Sequence, residues 1–199
     1  MNLVKRRDLL AGLGSMSFCL AAGCSTPEAV AEKDVPAAPA AAEDTAESDL
    51  RLRPHHILDI ITSHGQGIVM EPSDYGHSQH LVAERILSNP DLTVKLVVQS
   101  DDICIGCKHL MADGKCDDVL AQLTPSPSKQ AYNDVLDCRL LDLLGIEINS
   151  VMTVRAYLDI VNGQVPGIEA MCTHPKEDQA ERLAGLAEGL VKLGIRDKA

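Results

Sequence analysis

The sequence predicts a mainly α-helical domain of about five helices with one or two short strands, an α+β class in which helices dominate. Five segments carry apolar residues at helical spacing between helix-breaking residues. Only one run, from Leu92 to Val98, is rich in β-branched residues, as strands are. Strands and helices do not alternate along the chain, so we expect no parallel α/β sheet. We expect one compact domain with a cysteine-rich metal loop.

The predicted helices follow one another along the chain as residues 54–63, 77–87, 128–145, 153–161 and 175–193. The first begins at Pro54, whose fixed φ and missing N–H suit a first helical turn. The apolar stripe of the third, which we expect to face inward, consists of Tyr132, Val135, Leu136, Leu140 and Leu143. The stripe of the last consists of Leu183, Leu186, Ala187 and Leu190.

The first 24 residues are predicted to be an export signal. Arg6 and Arg7 form the twin-arginine pattern of bacterial export, and a short apolar stretch, Leu9 to Ala22, follows them. The stretch ends in Ala-Ala-Gly before Cys24, which resembles a lipoprotein cleavage site. We therefore expect a lipid on Cys24 and a membrane-anchored lipoprotein on the periplasmic or cell-surface side. A plain signal peptide with an incidental cysteine is the alternative.

Residues 25–49 are dominated by Ala, Glu, Pro and Thr, which cannot bury enough apolar surface to order a chain. They are predicted to be a disordered tether to the domain at residues 50–199. Removal of the signal takes away three basic residues and one acidic residue, and it leaves a formal charge of −13. Such an excess of acid argues against binding of nucleic acid, which needs basic patches.

The cysteines of the domain suggest a metal site. Cys104-Ile-Gly-Cys107 places two thiols on one turn, and Cys116 follows after an Asp113-Gly114 turn that is expected to fold it back. Three thiols within thirteen residues need a fourth ligand for an iron–sulfur cluster or a tetrahedral zinc ion.

The fourth ligand is predicted to be Cys172. It precedes a predicted helix, and helix N-termini stabilise thiolates. Cys138 competes for this role but falls on the polar face of the third helix. His174 is a further substitute.

The alternative is disulfide pairing, which is common outside the cytoplasm. Five cysteines in the domain cannot all pair within one chain. The twin-arginine route carries folded proteins, commonly with metal cofactors already inserted. It therefore favours an iron–sulfur cluster, of the 4Fe-4S type, with zinc as the alternative.

The histidines suggest a second metal site. His55 and Asp59 are four residues apart and share a helix face, whereas His55 and His56 point about 100° apart. His77, His80 and Glu84 are also expected to share a face. Together His55, His56 and Asp59 could form a histidine–carboxylate site of the kind used in hydrolysis. The competing interpretation is that these are solvent-facing side chains of amphipathic helices.

Two segments, Arg51-Leu-Arg-Pro-His-His-Ile-Leu58 and Asp101-Asp-Ile-Cys-Ile-Gly-Cys107, resemble a bacterial family known as domain of unknown function 1284. The resemblance extends from about Leu50 to Cys172. It implies a small iron–sulfur or metal protein with Cys104, Cys107, Cys116 and Cys172 at matching positions. The chain departs from the family at Asp59, where many members carry a cysteine. It departs again after Cys172, where Thr-His-Pro replaces a second cysteine and an aromatic residue.

These observations favour an exported, membrane-tethered iron–sulfur protein that transfers electrons to a redox partner or senses redox state. A zinc-stapled binding module without redox activity is the second hypothesis. A metal-dependent enzyme using the His55, His56 and Asp59 face is the third, so whether the protein is an enzyme stays open.

Overall fold

A computed structural model of the chain describes residues 48–171 and 178–198. The elements in these ranges are β1 (Leu50–Leu52), α1 (Pro54–Gly65), α2 (Gln79–Ser88), β2 (Thr93–Leu96), α3 (Lys129–Leu144), β3 (Val151–Thr153), α4 (Val154–Asn162) and α5 (Gln179–Lys192). They confirm the helix-dominated α+β class. The predicted signal, residues 1–24, and nearly all of the tether, residues 25–49, lie outside the described residues. None of the described helices is long and apolar enough to cross a membrane.

The sheet has three strands in the order β1-β2-β3, one more than the upper number predicted. β1 runs parallel to β2, with Leu50 opposite Val94, and β3 runs antiparallel to β2, with Met152 opposite Val94. β2 is central, and Val94 and Leu96 are fully buried. β1 and β3 have three residues each, too few for the alternation by which a strand is recognised in a sequence.

α1 and α5 pack backbone to backbone. A Cβ atom added at Gly189 of α5 would overlap the carbonyl oxygen of Ile61, and one added at Gly185 would lie 2.8 Å from the carbonyl oxygen of Thr62. The absence of side chains at these two glycines therefore sets the distance between the helices. This close approach holds α1, and with it the histidines of its first turn, against the core.

Local capping explains the helix boundaries that the sequence predicts well. The Ser128 hydroxyl accepts the Ala131 N–H at the start of α3, and Gly145 ends the helix with φ +66°. The Thr153 hydroxyl accepts the Ala156 N–H at the start of α4. The last helix, predicted for residues 175–193, begins at Gln179 in the structure, with Asp178 as its N-cap. Residues 175–177 lie outside the described residues.

The inward face of α3 differs from the predicted stripe. Leu136 and Leu140 are buried as expected, but Val135 is 50% exposed and Leu143 is 42% exposed. The stripe prediction was therefore wrong for Val135 and Leu143. The buried face instead includes Asp137, because its carboxylate has charged partners inside the fold that hydropathy alone does not reveal.

Candidate functional site

Arg53 occupies the position directly before α1 and is only 3% exposed. Its Nη1 donates to Oδ2 of Asp137 and its Nη2 donates to Oδ1 of Asp134, each at 2.6 Å. Burial opposes the charge, but the two carboxylates outweigh it and raise the pKa of Arg53 above its usual value. A buried guanidinium with two carboxylate partners thus anchors the start of α1 to α3.

His55 is held by the same carboxylate of α3. Its Nδ1 lies 2.6 Å from Oδ1 of Asp137, and its backbone N–H donates to that oxygen at 3.2 Å. Asp137 is fully buried. Because an ionised carboxylate only accepts hydrogen bonds, Nδ1 carries the proton, and Nε2 is the ring nitrogen left for a ligand.

His56 repeats this arrangement with another carboxylate. Its Nδ1 lies 2.7 Å from Oδ2 of Asp101, which also accepts the backbone N–H of Arg53 at 2.8 Å. Burial disfavours both charges, yet their attraction prevails: the pKa of His56 is raised, and the pKa of Asp101 is lowered to about 2. The ring centroids of His55 and His56 are 4.3 Å apart, so the two rings are neighbours although their backbone positions diverge.

Both imidazoles line a cavity of about 270 Å³ between α1, α3 and the start of α2. Asp59 lines the same cavity, as its four-residue spacing from His55 predicts, and its Oδ1 accepts Nη2 of Arg182 at 3.1 Å. His77 also lines this cavity, whereas His80 borders a different depression together with Glu84. The prediction that His77 and His80 share a helix face was wrong, because α2 begins only at Gln79.

The cysteine segment begins with a short 3-10 turn, Asp102–Cys104, capped by the Asp101 side chain. Oδ1 of Asp101 accepts the Ile103 N–H at 3.2 Å and lies 3.5 Å from Sγ of Cys104. Burial and the Asp101 charge raise the pKa of Cys104 to about 11. In the absence of a metal, this thiol is therefore protonated at neutral pH.

Gly106 makes the turn between the first two cysteines, with φ +81°. The Cys107 N–H donates to the Cys104 carbonyl at 3.0 Å and closes the turn. A Cβ atom at Gly106 would lie 2.8 Å from the carbonyl oxygen of Gly76, so the two loops touch through their backbones. The Lys108 N–H donates to the Tyr75 carbonyl at 2.9 Å and secures the same contact.

Cys116 returns to this segment through the predicted Asp113-Gly114 turn. The Met111 N–H donates to the Lys115 carbonyl at 2.8 Å, and Gly114 adopts φ +79°. Leu110 and Cys116 then pair as an isolated antiparallel bridge. Since the Leu110 N–H donates to the Cys107 carbonyl at 3.1 Å, the bridge brings the chain at Cys116 back beside the Cys104–Cys107 turn.

The structure places the predicted ligands as follows. Cys104, Cys107 and Cys116 are half-buried free thiols on one loop, and Cys138 lies half-buried on α3. Within residues 48–171 and 178–198, no three His, Cys, Asp or Glu side chains are grouped as metal ligands. The predicted fourth ligand Cys172, its substitute His174 and the lipidation site Cys24 lie outside the described residues. The complete ligand set stays a prediction.

Sequence reasoning missed the charged residues that support the histidines. Asp134 and Asp137 were assigned to no site, and Arg53 was noted only as part of the family resemblance. A signal existed in α3, where Asp137 lies between the apolar residues Leu136 and Leu140. A carboxylate at the edge of an apolar helix face requires a buried cation if it turns inward.

Comparison with known protein families identifies a match. The model of a family described as a protein of unknown function (DUF1284) matches residues 73–176, more than half of the chain. The match includes the cysteine loop and α3, and it begins after the Arg-Pro-His-His segment. No curated protein and no solved structure matches the chain.

Proposed function

The chain belongs to the DUF1284 family, and we propose that it is an exported, membrane-tethered iron–sulfur protein that transfers electrons or senses redox state. The proposed cluster ligands are Cys104, Cys107, Cys116 and Cys172. The observation that carries the proposal is the return of Cys116 to the Cys104–Cys107 turn through its bridge with Leu110. The loop supplies three thiols within thirteen residues, and thiols are the donors that iron–sulfur clusters use.

The residues fit such a group in donor chemistry and in order along the loop. Cys104, Cys107 and Cys116 are all reduced, and the Gly106 turn is held by a neighbouring loop rather than by a disulfide. Ligation would displace the proton of Cys104, as metal binding to thiols generally does. A bound cluster would supply one-electron transfer. The chain's contribution is to hold the donors and to place the Asp101 carboxylate beside one of them.

The location in the proposal rests on the N-terminal sequence. The twin arginines direct the chain through the export route, and the lipid on Cys24 anchors it to the membrane on the periplasmic or cell-surface side. The tether then leaves the domain free to meet a redox partner protein.

A zinc-stapled binding module is the alternative for the same four cysteines. The first measurement is the visible absorption spectrum and metal content of the chain purified without oxygen. Broad visible absorption with several irons per chain supports the iron–sulfur protein, since zinc is spectroscopically silent. A colourless chain with one zinc ion would make the protein a stapled module, and a chain without metal would refute both.

The other candidate is a metal-dependent enzyme that uses the His55, His56 and Asp59 face. Each imidazole has its Nδ1 held by a carboxylate, which is the arrangement typical of metal-ligating histidines. The Asp59 carboxylate, however, is paired with Arg182. Zinc or manganese titrated into the chain should perturb the Nε2 resonances of both histidines if this candidate is correct.

A further inference from the structure

We propose that the cavity beside His55 and His56 binds a small organic carboxylate, with the anionic group at its basic side chains and the apolar part against its leucines. This proposal goes beyond the iron–sulfur function and holds with or without a metal on the cysteine loop.

The lining of the cavity is rich in basic side chains and N–H donors. The basic side chains in the lining are His55, His56, His77, Lys129 and Arg182. Among the lining residues that the structure describes, Asp59 is the only carboxylate, and its Oδ1 is paired with Arg182 at 3.1 Å. The chain as a whole carries a formal charge of −11, so this concentration of basic groups is a local feature that runs against the overall charge. An anion is the ligand that such a lining complements.

The two imidazoles are fixed in orientation before any ligand arrives. Asp137 holds Nδ1 of His55 and Asp101 holds Nδ1 of His56, so each ring offers only Nε2 to the cavity. Donors that are already ordered lose little conformational entropy on binding.

Lys129 is the basic side chain that is best able to move toward a ligand. Its Nζ lies 3.2 Å from Oδ2 of Asp118, and the lysine side chain is 42% exposed. The Asp118 side chain is 17% exposed, so the pair lies at the edge of the cavity, where the lysine can turn from Asp118 to a ligand carboxylate.

The remaining lining residues determine the rest of the ligand. The apolar side chains in the lining are Ile103, Leu120, Leu123 and Leu136. The volume of about 270 Å³ lies just below the usual range of small-molecule sites and is too small for a nucleotide cofactor. A carboxylate with a short aliphatic or aromatic body matches both the size and the two chemical halves of the cavity.

A divalent metal on the two Nε2 atoms is the competing occupant. The described residues supply no third ligand group for it, because no three His, Cys, Asp or Glu side chains are clustered there. The basic side chains Lys129 and Arg182 in the lining would also repel a metal cation, whereas they would attract a carboxylate.

The test is calorimetric titration of the full chain in detergent with three probes of equal length: hexanoate, hexanamide and hexylamine. Hexanoate should bind at least about tenfold more tightly than neutral hexanamide, and hexylamine should bind least. Lys129→Gln should weaken hexanoate at least about tenfold. Lys115→Gln is the matched control, because this lysine also pairs with an aspartate, at 3.6 Å, but lies outside the cavity lining. It should leave the affinity unchanged.

Equal binding of hexanoate and hexanamide would overturn the proposal, as would no binding of hexanoate. Loss of affinity in both lysine variants would also overturn it. Zinc that shifts the Nε2 resonances of His55 and His56, with hexanoate causing no shift, would reassign the cavity to a metal. If Lys129→Gln does not fold, the His56 Nε2 resonance of the unmodified chain is measured instead. A shift of this resonance on addition of hexanoate would support the carboxylate site, and no shift would overturn it.

Discussion

Oδ2 of Asp101 lies 2.7 Å from Nδ1 of His56, although 45 residues separate the two in the chain. The other oxygen of the same carboxylate lies 3.5 Å from Sγ of Cys104. One buried carboxylate therefore joins the Arg-Pro-His-His segment to the first cysteine of the proposed cluster loop. A substitution of Asp101 should therefore affect both His56 and Cys104.

Stability should depend on pH through this pair. The pKa of His56 is raised above 6.5, so its contribution is fully present below pH 6.5 and is lost as the pH rises through the folded-state value. The pKa of Asp101 falls from 3.8 to about 2, so its contribution is present above pH 3.8 and is lost as the pH falls toward 2. Urea unfolding across this range should show both declines.

Asp101→Asn should flatten both declines, since it removes the charge that shifts the His56 pKa. Asp102→Asn is the matched control: its Oδ2 accepts the Arg51 N–H at 2.9 Å, away from the histidines. It should leave both declines in place. An unchanged pH profile in Asp101→Asn would show that the pair does not govern stability.

Asp137→Asn should destabilise the domain by about 3–5 kcal/mol, because Arg53 and His55 would lose their buried charged partner. Asp134 is the second carboxylate partner of Arg53, and its own side chain is 37% exposed. Asp134→Asn should therefore lower the free energy of unfolding by about 1 kcal/mol or less. Chemical denaturation of the two variants measures the difference. Similar losses of stability in the two variants would mean that burial of the Arg53–Asp137 ion pair does not determine its contribution.

Gly189→Ala should destabilise the domain by about 1–3 kcal/mol or more, because the new methyl group would overlap the Ile61 carbonyl. Helix propensity alone predicts the opposite sign, since alanine is favoured over glycine within a helix. Gly163→Ala is the control. A Cβ atom added at Gly163 would lie 3.3 Å from the Ile160 carbonyl oxygen, whereas one added at Gly189 would overlap the Ile61 carbonyl oxygen, and the φ of −65° at Gly163 suits alanine. That variant should change stability by less than about 1 kcal/mol. A thermal melt in which both variants behave alike would contradict the close packing of α1 and α5.

Cys107→Ser should abolish bound iron, because the turn between Cys104 and Cys107 would lose one of its thiols. Cys138→Ser makes the same chemical change on α3 and should keep the full iron content. Iron analysis and the visible spectrum of both variants, prepared without oxygen, measure this. Full iron in Cys107→Ser would sink the ligand assignment.

Much of the fold was predictable because its signals are local. Pro54, Ser128 and Gly145 bound their helices through the conformations and hydrogen bonds of residues one to four positions away. The turn at Asp113-Gly114 and the cysteine spacing are local in the same sense, and the structure confirms that Cys116 turns back. β1 and β3 were missed because three residues carry no periodicity, and their pairing with β2 is set by contacts distant in the chain.

The sequence by itself determined the α+β class and most helix boundaries, and it is the source of the proposal that the cysteine loop and the histidine pair carry the chemistry. Only the tertiary structure decided that these two motifs share Asp101, that Asp137 turns inward to Arg53, and that His77 rather than His80 joins the cavity. The physical reason is the distance along the chain over which each kind of interaction acts. Capping and turns depend on backbone groups a few residues apart, whereas a buried charge is stable only where a partner arrives from a distant segment, and here those partners lie 45 to 84 residues away.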